Sequence, residues 1–445
     1  MINSLWFQEA IGYKMRENNL DWLLEWTFKE RGETLLAHKI HRYPAIFVPE
    51  LAEKIIKTFS NEGDTVLDIF SGSGTTLLEC LKLRRKGIGI ELNPLAILIT
   101  KVKTQYIDKV ILEKNIKIWK KLYLSNNFNV DNNIVNKEFW FHELTIDSLN
   151  NAIGAMNALE CEISRNFLMV SLSEILREVS FCVHSGFKLH RDKKKLLADL
   201  AFNKYQLLDK LEPIILRNLE AIEELKHILD KQFEPEIYFH DSRVLNDRIK
   251  ENSVDLILTS PPYGDSRTTV AYGQFSAFSS ELLGLNSLYH NAIRYLDNEL
   301  LGGSTKSVDL ENLNNKSLTL KNIQELFKLR ALMSGDSKSQ KRSLDRLKDI
   351  ISFYNDLDKC IENASVYLKK NGFFVLVTAS RIVHETKLHT DIIVSELARN
   401  YGFKLKNIYY REIHNKRMPK KVSATNIAGE TTLTMTEESI IVLQK

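Results

Sequence analysis

The segment Val254-Asp255-Leu256-Ile257-Leu258-Thr259-Ser260-Pro261-Pro262-Tyr263 limits what this chain can fold into more than any other stretch. Its apolar, β-branched run has the character of a strand buried on both faces, which puts it inside a largely parallel sheet. The run stops at two successive prolines, which lack amide donors and cannot continue a ladder. Ser260 to Tyr263 must therefore leave the sheet as a stiff loop. In an open α/β sheet, ligands bind at the carboxyl ends of the strands. A hydroxyl, free carbonyls and an aromatic ring thus stand at the rim of a site. A proline turn that merely ends a strand fits the same residues. Partners elsewhere in the chain weigh against that plainer reading.

The first partner is Asp64-Thr65-Val66-Leu67-Asp68-Ile69-Phe70-Ser71-Gly72-Ser73-Gly74-Thr75-Thr76-Leu77-Leu78-Glu79, which reads as strand, glycine turn and helix. Gly72 and Gly74 let backbone pass close to a ligand, and Ser71, Thr75 and Thr76 suit the start of a helix. The turn has neither the third glycine of a dinucleotide fingerprint nor the lysine of a phosphate-binding loop. One strand later comes Glu91, in Gly89-Ile90-Glu91-Leu92-Asn93-Pro94. A carboxylate there suits two ribose hydroxyls and would repel a 2′-phosphate, so the spacing predicts a nucleoside ligand. A helix cap is the plainer role for Glu91. Asp241 closes a further short strand, Ile237 to Asp241, where it can accept from an adenine amino group or cap the next helix.

Two interruptions divide this α/β pattern. The expected organisation is an N-terminal helical extension over 1–35, a cofactor half over 36–105, a helical insertion over 106–235, the catalytic strand and loop over 236–264, a second insertion over 265–345, and the closing half over 346–445. Helices are expected at Glu50–Phe59, Ile116–Leu124, Leu144–Leu159, Arg165–Val179, Lys194–Asp230, Leu347–Lys369 and Asp391–Asn400. The second insertion reads as a loop followed by polar, Asn/Lys/Ser-rich sequence, with mobile stretches at Leu301–Lys306 and Ser334–Lys338. The chain should end in two strands, Leu405–Ile413 and Ser439–Leu443.

A net charge of +4 does not demand a nucleic-acid partner, so any binding patch must be local. Candidates are Lys188 and Arg191 in the loop Ser185–Lys195, Arg267 just past the proline turn, and Lys416, Arg417 and Lys420 near the end. A solvated charged loop fits those stretches nearly as well. Tyr272 and Gln274 are further candidates for contacting a base. The four cysteines are scattered and make neither a disulfide framework nor a zinc site, which suits a reducing compartment. No eighteen-residue apolar run and no signal-peptide core occur, so the expectation is a soluble cytoplasmic protein without a membrane partner.

Together these stretches resemble the amino-methyltransferase family of DNA modification enzymes, which use S-adenosylmethionine and methylate exocyclic nitrogen. Asp68-Ile69-Phe70-Ser71-Gly72-Ser73-Gly74-Thr75-Thr76 is similar to the family's D-P-F-x-G-S-G-T-T cofactor motif, with Ile69 in place of the proline. His41 to Pro49, containing Pro44, resembles its H-x-Y-P-A-x-F-x-P segment beside the methionine moiety. Glu91 with Asn93 resembles its ribose-binding element, and Asp241 its adenine-side acid. Thr259-Ser260-Pro261-Pro262-Tyr263 matches the catalytic motif in its serine form, which in this family goes with cytosine N4.

The resemblance implies a Rossmann-like seven-stranded methyltransferase sheet with an antiparallel last hairpin, plus a mainly helical insertion. It also implies the modification half of a restriction–modification pair, with double-stranded DNA and a companion restriction endonuclease as partners. Ser260 and the Pro261 carbonyl would accept from the amine hydrogens, Pro262 would stiffen the loop, and Tyr263 would stack on an extruded base. Methyl transfer from a sulfonium needs no metal. Ring-carbon methylation would need a cysteine nucleophile, and no cysteine follows a proline in a comparable loop. Three rivals stay open: an adenine-N6 enzyme, an RNA base-amine methyltransferase, and a catalytically silent DNA-binding protein.

Overall fold

The computed structural model describes residues 34–128, 130, 133–184, 186–264, 269–285, 293–305, 308, 316–384, 386–413, 421–422, 432–433 and 437–445. Nearly all of the expected N-terminal extension lies outside the described residues, as do Arg267, Lys416, Arg417 and Lys420.

Seven strands form one sheet: β1 Thr65–Asp68, β2 Lys86–Glu91, β3 Glu236–Phe239, β4 Val254–Thr259, β5 Leu368–Thr378, β6 Lys404–Glu412 and β7 Glu437–Gln444. They lie in the order β3-β2-β1-β4-β5-β7-β6. β1 pairs in parallel with β2 and β4, and β4 with β5, while β7 runs antiparallel between β5 and β6. This is the expected Rossmann-like methyltransferase sheet with its antiparallel final hairpin. The chain starts in the middle, moves outward through β2 and β3, and returns to β4 on the other side of β1. The order therefore reverses between β1 and β4, which opens a crevice at their carboxyl ends.

Strand periodicity fixes the two faces of the sheet, because alternate side chains point to opposite sides. Leu67, Ile257, Phe374, Leu376, Ile441 and Leu443 pack into one core, and Val66, Leu256, Leu258, Val375, Val377, Ile440 and Val442 into the other. The second face is covered by α1 Pro49–Phe59 and α2 Thr75–Lys82, through Leu51, Ile55, Ile56 and Cys80. α3 Pro94–Thr104 follows β2 and joins the helical insertion, whose members are α4 Lys109–Ser125, α5 Glu143–Asn157, α6 Glu162–Ile175 and α7 Lys204–Leu225. The expected single helix Lys194–Asp230 is broken. A short turn, Lys193–Leu197, precedes α7, which starts at a capping box: Asn203 accepts from Tyr205 and Gln206 N–H, and the Gln206 side chain accepts from Asn203 N–H.

The second insertion is more ordered than its polar composition suggested. It contains α8 Tyr272–Leu282, α9 Leu318–Leu332 and the first turns of α10 Ser337–Tyr367, which begins ten residues before the expected start at Leu347. Side-chain caps account for the difference. Ser317 accepts from Leu320 N–H, and Asp336 accepts from Lys338 and Ser339 N–H, so short local bonds start helices that hydrophobic periodicity does not reveal. α11 Thr390–Arg399 completes the sheet's first face, and its Glu396 anchors α9 through Ser317 and Thr319. No described helix is long and apolar enough to cross a membrane.

α8 packs into the core of the helical insertion. Its Phe278 is 1% exposed, with its ring edge-to-face against Trp140 at 5.5 Å and Phe141 at 5.0 Å. Phe278→Ala should lower stability by about 3–5 kcal/mol through cavity formation, read as a depressed melting temperature. A melting curve unchanged from wild type would mean that α8 does not dock as described.

Candidate active site

The crevice between β1 and β4 is built on a buried carboxylate. Asp68, 3% exposed at the end of β1, accepts from the Phe70 amide at 3.0 Å, from Thr76 Oγ1 at 2.6 Å and from Thr259 Oγ1 at 2.7 Å. These three donors come from the glycine turn, from α2 and from the last residue of β4. Burial raises the Asp68 pKa, and the same three hydrogen bonds oppose that rise.

The glycine turn is held from below by α3. Thr100 Oγ1 donates to the Gly72 carbonyl at 3.3 Å, and the fully buried Lys103 donates from Nζ to the Ser73 carbonyl at 3.0 Å. Burial pushes Lys103 down to about 7. Gly74 has φ +80, and a Cβ there would lie 2.6 Å from the Thr100 side chain, so this position requires glycine. Thr75 begins α2 immediately after it.

Glu91, at the end of β2, closes the other side. Its carboxylate accepts from the amides of Gly72 at 2.8 Å, Leu92 at 2.9 Å and Asn93 at 2.8 Å. Those bonds favour the charged form, but burial prevails and pushes the group up to about 7. Asn93 caps α3 by accepting from Leu95 N–H, and its Nδ2 donates to Ser276 Oγ of α8 at 3.0 Å. A third wall comes from the segment before α1. Pro44, Ala45, Ile46 and Phe47 line the cleft, and Tyr43 stacks on Tyr272 with centroids 6.1 Å apart. Arg217 of α7 pins this segment by donating to the Ile40 carbonyl at 2.9 Å.

Of the residues singled out in the sequence, one cleft is lined by Pro44, Asp68, Phe70, Gly72, Thr75, Glu91, Asn93, Ser260 and Pro262 together. Ser260 donates its hydroxyl hydrogen to the Val377 carbonyl of β5 at 3.1 Å. The hydroxyl's acceptor lone pairs are thereby left for the cleft.

Four of the singled-out residues, Gly74, Pro261, Tyr263 and Asp241, are outside this lining. Tyr263 does not line the cleft: its hydroxyl donates to Glu438 Oε1 of β7 at 2.9 Å, and Glu438 pairs with Arg411 of β6 at 3.0 Å. Asp241 is also outside the lining, bound through both oxygens by Arg243, whose Nη2 lies 2.7 Å from Oδ2. In the basic loop, Arg191 stacks on Phe139 at 4.0 Å, Lys195 Nζ donates to four carbonyls, and Arg177 gathers the carbonyls of Val183, Gly186 and Lys188. Much of that loop's charge therefore holds its own fold. Gln274 accepts from Leu189 N–H of the same loop.

Tyr43, Ser73 and Leu300 line the cleft without having been given a role in the sequence reading, and Ser71 and Thr76 were read there only as the start of a helix. Ser71 and Thr76 lie inside the glycine motif, but nothing in the sequence marks Leu300, which arrives from the second insertion.

The lining fits a nucleoside bearing a charged tail. Ser71 Oγ is buried without a hydrogen-bond partner, the Glu91 carboxylate faces the same space, and nothing stands within 4 Å of where a Gly72 side chain would begin. Apolar walls from Phe70, Ile46 and Phe47 supply contact area for a base or a thioether.

Comparison with known proteins relates the chain to DNA methyltransferases. The family model for N6/N4 DNA methylases matches residues 2–102. The type II methyltransferase M.MvaI of Kocuria varians is 33% identical over 422 residues, which is 92% of this chain and 91% of that protein. M.BsoBI of Geobacillus stearothermophilus is 29% identical over 252 residues, about half of each chain at 51% and 49%. Among solved structures, an S-adenosylmethionine-dependent methyltransferase from Methanosarcina mazei aligns with TM-score 0.31 and 9% identity, covering 88% of this chain and 96% of that one. With the near full-length match to M.MvaI, the chain belongs to the type II DNA methyltransferases of the N6/N4 amino-methyltransferase family.

Proposed function

We propose that this DNA methyltransferase modifies the exocyclic N4 amine of cytosine, in duplex DNA, at a specific site. Its cofactor is S-adenosylmethionine, which when bound supplies an activated sulfonium methyl. What supports cytosine over adenine is that the catalytic motif carries serine at position 260, the form that goes with cytosine N4 in the family it resembles. The Ser260 hydroxyl donates to the Val377 carbonyl and also neighbours Tyr263, and its lone pairs can accept an amine hydrogen from a base in the cleft. The exocyclic amine is a weak nucleophile because its lone pair is delocalised into the ring. An acceptor that binds an amine hydrogen draws the nitrogen toward tetrahedral geometry and restores that lone pair. The Pro261 carbonyl is the second acceptor, and Pro262 keeps the loop from relaxing. Asp68, Glu91, Asn93 and the Gly72 turn are assigned to cofactor binding, with Phe70 and Pro44 as apolar contacts. Asp241 enters that set only if Arg243 yields it.

A base stacked in a duplex cannot reach a cleft set into the edge of a sheet, so the target would have to be rotated out of the helix. The type II relationship supports a place in restriction–modification, with a companion endonuclease of the same site specificity. Incubation with labelled cofactor and mixed duplex DNA, followed by nucleoside analysis, should yield N4-methylcytosine. Label found only in N6-methyladenine, or only in RNA, would overturn this reading.

Ser260→Ala should lower kcat by on the order of 10²-fold, as loss of one transition-state hydrogen-bonding group does, with cofactor affinity within about twofold of wild type. An equal loss in cofactor binding would mean that the loop belongs to the cofactor site instead. Glu91 supplies a pH test. With its pKa pushed up to about 7, it is protonated below that pH and then cannot accept from two ribose hydroxyls. Cofactor affinity should therefore fall as pH drops from about 8 to about 6, by no more than about tenfold per unit for one proton. In Glu91→Gln the affinity should be weaker and flat across that range. A mutant that kept the wild-type slope would assign the titration to another group.

A further inference from the structure

One cluster of basic side chains lies outside the stretches that the sequence marks as basic. On the first turns of α10, Lys338, Lys341, Arg342, Arg346 and Lys348 line a surface groove together with Thr305. Two carboxylates share it, Asp345 and Asp349, and Asp349 lies 3.1 Å from Arg346. Five cations against two acids leave an excess of three, beside a net +4 for the whole chain. Lys338, Lys341 and Arg342 are exposed and have no ion-pair partner among the described residues. Uncompensated like charges on one helix face repel one another, and a polyanion relieves that repulsion.

Topology puts the groove on the side of the site. α10 leads directly into β5, which is parallel to β4, so the helix runs back along the sheet and its N-terminus lies toward the carboxyl edge that carries Ser260. Its 31 residues span about 46 Å at 1.5 Å each, far more than the roughly 20 Å of six-residue β4. The chain also connects the two places. Leu300 lines the cleft and Thr305 lines the groove. Between them, the Gly303 amide donates to the Leu300 carbonyl at 2.8 Å, closing a turn whose ends lie within about 7 Å, and two residues more add about 7 Å. The link is fixed in place: the Gly302 amide donates to Asp356, Ser352 Oγ to the Ser304 carbonyl, and Arg243 to the Glu299 carbonyl. The α10 face opposite the groove is docked, with Ser343, Leu347 and Ile350 buried and Leu347 and Ile350 in one core with Leu320, Ile323 and Phe327 of α9.

We infer that this face of α10 is a phosphate-contact surface for duplex DNA, holding the backbone beside the cleft that receives the target base. The inference rests on the DNA methyltransferase reading above and adds the element that grips the substrate. Phosphate contacts position a duplex without reading its sequence, which suits lysines and an arginine spaced along one helix face.

The test uses the full chain with Lys338→Ala, Lys341→Ala and Arg342→Ala combined, and a second variant with Lys338→Arg and Lys341→Arg. Binding to a random-sequence duplex is followed by fluorescence anisotropy over a salt series, and methyl transfer to unmethylated genomic duplex DNA is measured in parallel. The alanine variant should lose about 2–3 from the slope of log affinity against log salt, near 0.9 per phosphate contact. Its KM for DNA should rise at least about tenfold, with kcat at saturating DNA, cofactor affinity and melting temperature unchanged. The arginine variant should retain the wild-type slope. Slopes and KM equal to wild type, with the wild-type enzyme active on duplex DNA, would overturn the groove assignment alone. A wild-type enzyme that methylates RNA but no duplex DNA would overturn the functional reading and this surface with it.

Discussion

One buried carboxylate holds the working parts of this enzyme in a common frame. Asp68 terminates β1 and takes hydrogens from the turn that follows it, from the helix after that turn, and from Thr259 beside the proline loop. Those donors come from positions up to 191 residues apart in sequence. A charge withdrawn from water this far is tolerated only when hydrogen bonds replace its hydration. Here the replacement also fixes the spacing between the glycine turn and the proline loop. The reversal of strand order at β1 and β4 makes the crevice, and Asp68 sets its width.

Around that tie the structure adds supports from three directions. α3 props the glycine turn with Thr100 and Lys103, so two turn carbonyls are satisfied from behind. β5 orients Ser260 through Val377, and β7 holds Tyr263 through Glu438, itself paired with Arg411. Arg243 joins Asp241, Asp356 and the Glu299 carbonyl, and so links β3, α10 and the segment that delivers Leu300. Catalytic constellations depend on such outer layers, because a shift of about 1 Å in a reacting group costs orders of magnitude in rate.

The framework was legible because its signals are local. Short apolar runs ending at Asp68, Glu91 and Ser260 announce parallel strands with their sites at one edge, and Gly72 and Gly74 announce the turn. What escaped was non-local, or carried by a single side chain. Arg243 follows Asp241 by two residues, yet its capture of both carboxylate oxygens is not implied by the spacing. Glu438 meets Tyr263 from 175 residues away. Arg191 looks like a free cation in sequence, but Phe139, far off in the chain, takes up its guanidinium. α9 and the first turns of α10 were hidden because Asn/Lys/Ser composition resembles a loop, while their start is encoded by Ser317 and Asp336.

The bond from Ser260 to the Val377 carbonyl also bears on how such enzymes diverge. An aspartate at this position would set a carboxylate oxygen against a carbonyl oxygen in the same place, two acceptors with no hydrogen between them. A change of target amine that went through residue 260 would therefore need the backbone of β5 to turn as well, or a new donor to arrive. Substitution at residue 260 is thereby constrained by the backbone of a neighbouring strand.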